Sequence, residues 1–226
     1  MIKQGFLGGL CLLLVVCAAG QTTGYSIFAG AQMTDARYLV YGKKQETGSK
    51  PGGQAGFTFR IPFENRLSFT PSFYYSGKGF AVVLNDSASM PGIDVVRNDL
   101  SLHTFEIAPL FELRLGSSAT YPFIAFGPTF DVAIAGTERR VLESGATVKR
   151  SMAFGSTSYG RFTAAALVRL GIQTRHGFFV FGHYSYGLGS LNNADYGPSI
   201  KHRIAGVSIG TALHRKPKKQ RYNKFR

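Results

Sequence analysis

The sequence predicts an all-β chain, an eight-stranded antiparallel up-and-down transmembrane β-barrel. Three observations carry that expectation. Apolar residues recur at every second position through eight separate segments, the period of a strand whose two faces meet different surroundings. Each segment runs 10 to 12 residues, the length a tilted strand needs to cross a bilayer. The connectors alternate long and short without exception, as in barrels with tight turns at one end and larger loops at the other.

The chain opens on an export signal. Lys3 precedes a Leu/Val-rich run from Phe6 to Cys17, and the small residues Ala18, Ala19 and Gly20 precede Gln21, so residues 1–20 read as a signal peptide cleaved near Gly20. The run is too short, and too broken at Gly8 and Gly9, for a good membrane-spanning helix. Acylation of Cys17 is the alternative, but Val16 stands where a lipobox wants a small residue. The 2 cysteines, Cys11 and Cys17, both lie in this leader, so the mature chain is expected to have neither a disulfide framework nor a Cys-ligated metal.

The eight segments then follow over 21–213, the expected barrel. The first is 25–34, with Tyr25, Ile27, Ala29, Ala31 and Met33 on one face. The second ends at Phe63 and alternates Phe57, Phe59, Ile61 and Phe63 with Gly56, Thr58, Arg60 and Pro62. The others are 67–78, 104–115, 123–134, 162–173, 179–188 and 204–213. Connectors 64–66, 116–122 and 174–178 are short, whereas 35–53, 79–103, 135–161 and 189–203 are long. Pro71, Pro109 and Pro128 sit mid-segment, where a closed barrel has no edge to absorb a missing N–H, and are expected to mark a layer of bulges.

The two faces of these segments differ in chemistry. The apolar face carries no charge and suits lipid, with Tyr75, Tyr121, Tyr184 and Tyr186 near segment ends as an interfacial aromatic belt. On the opposite face the charged residues are Arg60, Lys78, Arg114 and Arg169 against Glu106, Glu112 and Asp131, among many Gly, Ala and Ser. A soluble barrel or sandwich would place a face with about 25–35% charge in water, and this face is far poorer. It suits a narrow lumen in which acids and bases neutralise one another as an internal salt-bridge network, since a lone buried charge is costly. A narrow small-solute or ion channel is the alternative reading.

Enzymatic chemistry has little support. Four of the 5 histidines (His103, His176, His202 and His214) fall in turns, strand ends or the tail. His183 and Ser185 share one inward face, but no carboxylate is spaced to orient the histidine, as a nucleophilic site requires, so an outer-membrane hydrolase ranks third. No phosphate-binding, dinucleotide, zinc-protease or calcium-loop motif occurs, and no cofactor or metal is expected. The long connectors are the binding candidates: 79–103 is locally acidic (Asp86, Asp94 and Asp99 against Arg97), and 135–161 is basic (Arg139, Arg140, Lys149 and Arg150 against Glu138 and Glu143).

The formal charge of +14 would ordinarily suggest nucleic acid, but its distribution argues otherwise. Residues 214–226 form a basic tail carrying Arg215, Lys216, Lys218, Lys219, Arg221, Lys224 and Arg226 with no acid. Alternation stops at Leu213 and Pro217 blocks further strand, so this is a tail, and with an even strand count both termini are expected in the periplasm. The expected setting is the bacterial outer membrane, with its lipid and a periplasmic protein as partners. Nucleic acid is not expected after export.

The stretch YSYGLGSLNN, Tyr184 to Asn193, followed by KHRIAGVSIGTAL, resembles the PorT-like outer-membrane β-barrel domain family. There a Tyr-x-x-Gly-Leu-x-x-Ile/Leu-Asn-like stretch precedes a basic residue and a final Gly-containing strand. The matching positions are Tyr184, Gly187, Leu188, Leu191, Asn192, Lys201 and Arg203. The resemblance covers 22–213 and implies an eight-stranded outer-membrane barrel, with a secretion-apparatus partner by analogy with the name-giving member of a functionally mixed family. The chain departs from many such barrels in continuing past its final strand, with Phe225 near the end.

Overall fold

The computed structural model describes residues 24–84, 95–195 and 197–213. The expected signal peptide, the basic tail, and Asp86 and Asp94 of the acidic connector lie outside the described residues.

Among the described residues ten antiparallel strands form: β1 (Gly24–Val40), β2 (Lys43–Lys44), β3 (Glu46–Pro62), β4 (Leu67–Val83), β5 (Val95–Arg114), β6 (Tyr121–Leu142), β7 (Thr147–Ser151), β8 (Phe162–Gln173), β9 (Phe178–Gly187) and β10 (Ser199–Leu213). Eight of them close a ring in the order β1-β3-β4-β5-β6-β8-β9-β10, with β10 pairing back onto β1 from Tyr25↔Leu213 to Leu39↔Ser199. The remaining two lie outside the ring, β2 against the end of β1 and β7 against the end of β6. Closure leaves the eight-stranded ring itself without an edge, the condition for crossing lipid with strands. Residues Gly24 and Leu213 lie at the end of the ring that bears the short turns 63–66, 115–120 and 174–177, hereafter the turn end. The other is the loop end.

The strands correspond to the eight periodic segments, but most run further toward the loop end. Most of the expected loops 35–53, 79–103 and 135–161 is strand: β1 continues to Val40, β4 to Val83 and β6 to Leu142. A ladder is held by backbone, so it persists where outward side chains turn polar, as at Arg37, Asp99 and Arg139, and apolar alternation fades.

The mid-strand prolines do not mark bulges. Pro71 pairs directly with Pro109, and the β5–β6 register is the same on both sides of Pro109, from Ile107↔Phe130 to Phe111↔Phe126. That register sets Pro109 opposite Pro128, so two missing donors share one gap in the ladder. Register shifts occur elsewhere, at Ser49/Gly53, Val95/Arg97 and His103/Thr104.

Outward positions between the two ends form an apolar band, with Ile27, Met33, Phe57, Phe105, Phe130, Leu170 and Val207 all exposed. From Tyr25 to Asp35, about 3.3 Å per residue at a tilt of ~40° rises about 25 Å, the height of an outer-membrane band. The band ends on β6 at Ile134. Tyr75 and Tyr184 are exposed toward its loop-end edge. Tyr121 does not join this belt: its hydroxyl donates to Gln173 Oε1 (2.9 Å) and accepts from Arg60, because the first residue of β6 faces the lumen mouth.

Inward side chains make two apolar clusters. One, nearer the turn end, includes Phe28, Tyr74, Leu110, Phe123, Leu167 and Phe181. The other, toward the loop end, includes Tyr38, Phe80, Leu100, Leu102, Met152, Leu191 and Ile200.

Candidate functional site

The lumen is layered. At the turn end Arg60 bridges Glu112 at 2.6 Å and donates to Tyr121 Oη (3.1 Å) and Gln173 Oε1 (2.7 Å). Arg114 sits at the rim, stacked 3.9 Å over the Tyr121 ring and donating to the Ser118 carbonyl.

Deeper in, Arg169 is buried and takes part in none of the ion pairs among the described residues. Three inward aromatics surround it instead, with its guanidinium carbon 5.0 Å from the Phe28 ring, 5.4 Å from Tyr74 and 5.0 Å from Phe181. Its Nη1 donates to Ser72 Oγ at 2.9 Å. Ring faces stabilise a desolvated guanidinium, so aromatics do here what carboxylates were expected to do.

At mid-height Lys78 Nζ lies 2.7 Å from Glu106 Oε1 and 2.6 Å from Asp131 Oδ2, with all three side chains almost fully buried. Thr104 donates to Glu106 (3.1 Å), and Thr129 (3.2 Å) and Thr163 (3.3 Å) donate to Asp131, which satisfies the spare lone pairs. Beside this triad, His183 lies between two amides, Gln54 Nε2 at 3.3 Å from Nδ1 and Gln32 Oε1 at 3.3 Å from Nε2. One proton on Nε2 satisfies both contacts. Gly206 leaves room for that ring, since a Cβ there would fall 2.6 Å from His183 Cε1 and 2.5 Å from the Ala31 carbonyl. Ser185 shares the face of His183 but none of its hydrogen bonds among the described residues. His202, placed by the sequence at a strand end, is buried within β10 against the Phe80 ring.

The seven charged lumen residues therefore do not form the single network expected of them. Lys78, Glu106 and Asp131 meet in one layer and Arg60 and Glu112 in another; Arg114 joins the second only through the Tyr121 ring, and Arg169 makes no ion pair with either. The layers are separated along the barrel axis by apolar residues such as Leu110 and Phe123. Lumen voids are small, about 30 Å³ beside Arg60 and Arg169 and about 10 Å³ beside Lys78 and His202. Each has room for about one water.

The loop end differs. Glu138, in the part of β6 beyond the apolar band, is fully buried and held by Arg150 Nε (2.6 Å), Arg140 Nη2 (3.2 Å), Asn98 Nδ2 (2.9 Å) and the Tyr159 hydroxyl. Burial pushes its carboxyl up, but the hydrogen bonds from Tyr159, Asn98 and Arg150, with the charge of Arg140, outweigh that and hold it below the usual carboxylate range. Burial and the neighbouring Glu138 charge push the Tyr159 hydroxyl well above the ordinary tyrosine value. Arg140 and Arg150 line a cavity of about 310 Å³, walled also by Tyr38, Val40, Val95, Ser158, Asn192 and Pro198. Its lining is mixed polar and apolar, suited to a small polar ligand or a partner's side chain.

Asn98, Tyr159 and the two glutamines that bracket His183, Gln32 and Gln54, were not named from the sequence; Glu138 was named only as an acid of a basic connector, and His183 only beside Ser185. The glutamines lie on the inward face and are uncharged, so a count of charges passes over them. Among the described residues no group of three or more His, Cys, Asp or Glu side chains forms a metal-binding set.

Comparison with curated proteins gives no match. Among solved structures the chain is similar to Ail, the attachment invasion locus protein of Yersinia pestis, at 15% identity over 84% of this chain and 99% of that one, with a TM-score of 0.44. It is also similar to the outer membrane protein OprG from Pseudomonas aeruginosa, at 12% identity over 86% and 98% of the two chains, with a TM-score of 0.48. Neisserial surface protein A matches at 11% identity over 84% and 97%, with a TM-score of 0.44. The outer membrane protein beta-barrel domain matches residues 19–193, most of the chain. With the eight-stranded closed ring and its apolar outer band already in hand, that match identifies the chain as a bacterial outer-membrane barrel belonging to the outer membrane protein beta-barrel domain family.

Proposed function

We propose that this barrel is a structural and interaction component of the cell envelope, neither a conducting channel nor an enzyme. Its loop end faces outward and both termini face the periplasm. The observation that carries this reading is the filled lumen: Arg60–Glu112, caged Arg169, the Lys78 triad and the Phe80–Leu100 cluster follow one another along the axis, with voids of about 30 Å³ and about 10 Å³ beside them. An eight-stranded barrel is only wide enough for its own side chains, so a packed interior acts as a plug. The orientation follows from the usual disposition of short turns inside and longer loops outside. Against catalysis stands the use of both His183 nitrogens by glutamine amides.

The PorT-like resemblance adds a protein-secretion partner to this proposal. The matched positions build the β9–β10 connection, where Leu191 is buried and bonds backbone to backbone with Ile200, and Asn192 Nδ2 donates to the Pro198 carbonyl at 3.1 Å. They support the architecture, and the link to secretion comes from the family alone. Planar-bilayer recording of the refolded barrel tests the plug. No stable conductance is expected, and sizeable, long-lived steps would overturn the reading in favour of a narrow channel.

A further inference from the structure

Three outward cations beside the apolar band make no ion pair among the described residues. On the outer face at the loop end, Arg37 of β1 stands directly opposite Lys201 of β10, and Arg203 follows two residues along, opposite Asp35. Directly opposed side chains lie about 5 Å apart at Cβ, and like charges so placed repel. Arg37, Lys201 and Arg203 make no ion pair and no side-chain hydrogen bond among the described residues, and Arg203 Nε is buried without a partner. Asp35 accepts from the backbone N–H of Ala36 at 2.7 Å. Several other cations of this end are engaged: Lys50 donates to Ser101 Oγ (3.0 Å), Arg97 bridges Asp99 (3.2 Å), and Arg140 and Arg150 hold Glu138. Arg139 and Lys149, paired on β6 and β7, make no ion pair among the described residues either, but they stand on the β6–β7 hairpin, away from the apolar band.

The height of the cluster is as informative as its charge. Asp35 and Arg203 sit at the loop-end edge of the apolar band, Arg37 and Lys201 just beyond it, and exposed Met33 and Val207 lie below on the same two strands. Three cations against the single carboxylate of Asp35, directly above an apolar wall, match one class of ligand, a lipid whose anionic headgroup stands at the interface while its chains lie along the band.

We infer that Arg37, Lys201 and Arg203 bind a phosphate of a membrane-lipid headgroup on the β1–β10 seam. The inference rests on the outward orientation proposed above for which leaflet supplies the lipid, but not for the binding itself. Native mass spectrometry of the full chain in detergent tests it, with bis-phosphorylated lipid A and its dephosphorylated counterpart as probes. Retention of the phosphorylated lipid is expected to be at least about tenfold stronger, and to fall to the dephosphorylated level in R37Q/K201Q/R203Q, with the heat-dependent gel shift of a folded barrel as control. R139Q/K149Q, which removes cations from another face, is expected to bind as the parent does. Equal retention of the two lipids by the parent, needing no variant, overturns the site. So does unchanged selectivity in the folded triple variant, or an equal loss in R139Q/K149Q. Displacement by millimolar inorganic phosphate would overturn the lipid in favour of a free-phosphate site. Ser144→Cys, probed on intact cells with an impermeant maleimide, reads orientation separately: protection there sinks the outward loop end while the detergent result stands.

Discussion

Two charge clusters of this barrel are near mirror images. Around Lys78 one ammonium holds two carboxylates, and around Glu138 one carboxylate holds two guanidiniums. Their surroundings decide what each does. The Lys78, Glu106 and Asp131 side chains are 2%, 4% and 6% exposed, whereas Arg140 and Arg150 keep 25% and 51% of their surface in contact with solvent. In the lumen the triad is almost fully withdrawn from solvent, so its members hold one another in place with little water to take a partner's role. At the mouth the arginines remain solvated on their far side, which leaves donors free to meet a ligand in the cavity they line.

The comparison breaks most clearly at Lys78. Lys78→Met leaves two carboxylates facing each other in the lumen and is expected to destabilise the folded barrel by about 3–5 kcal/mol. Urea unfolding in detergent, followed by the gel shift, measures it. Adding E106Q and D131N is expected to recover most of that loss, because the cost lies in the unpaired charges and not in the missing lysine. If the triple variant is as unstable as the single one, this layer owes its stability to something other than charge balance.

Glu138→Gln is expected to cost less, about 1–3 kcal/mol, and to act locally on the β6–β7 hairpin, since its arginines can turn to water. Hydrogen exchange of Thr147–Ser151 reads this, and an effect on the whole ring would erase the distinction between the clusters. The same carboxyl predicts a pH dependence. Its folded value is depressed, so its contribution is complete above the ordinary carboxylate value and is lost as pH falls through the lower folded one. Hairpin protection is therefore expected to drop only in acid, below that ordinary range, and E138Q is expected to remove the drop. The smallest effect belongs to Tyr159→Phe, which removes one hydrogen bond to Glu138 and is expected to cost about 1 kcal/mol, seen as faster exchange in the same hairpin.

The two clusters also differ in how legible they were. Lys78, Glu106 and Asp131 sit inside apolar segments, where a period of two gives their face directly. Glu138 follows a break in phase. Ala133 pairs with Thr104 but Ala135 with His103, so Ile134 is an extra residue on β6, and the inward set changes from Asp131 and Ala133 to Gly136 and Glu138. Alternation carried through that bulge would point Glu138 outward. Arg169 shows a different limit: its face was legible, but its neighbours were expected to be acids and proved to be Phe28, Tyr74 and Phe181 from β1, β4 and β9.

The sequence by itself determined the number of membrane-crossing strands, their order, the end at which each turn falls and the face that meets lipid. Those properties are local, carried by alternation within about ten residues and by the lengths of the connectors. Only the tertiary structure decided which lumen charges share a layer, where the ladder outlasts its apolar pattern, and that Arg37 and Lys201 stand side by side. Neighbours across the ring depend on the stagger between strands, which closure of the whole barrel sets and no single segment encodes.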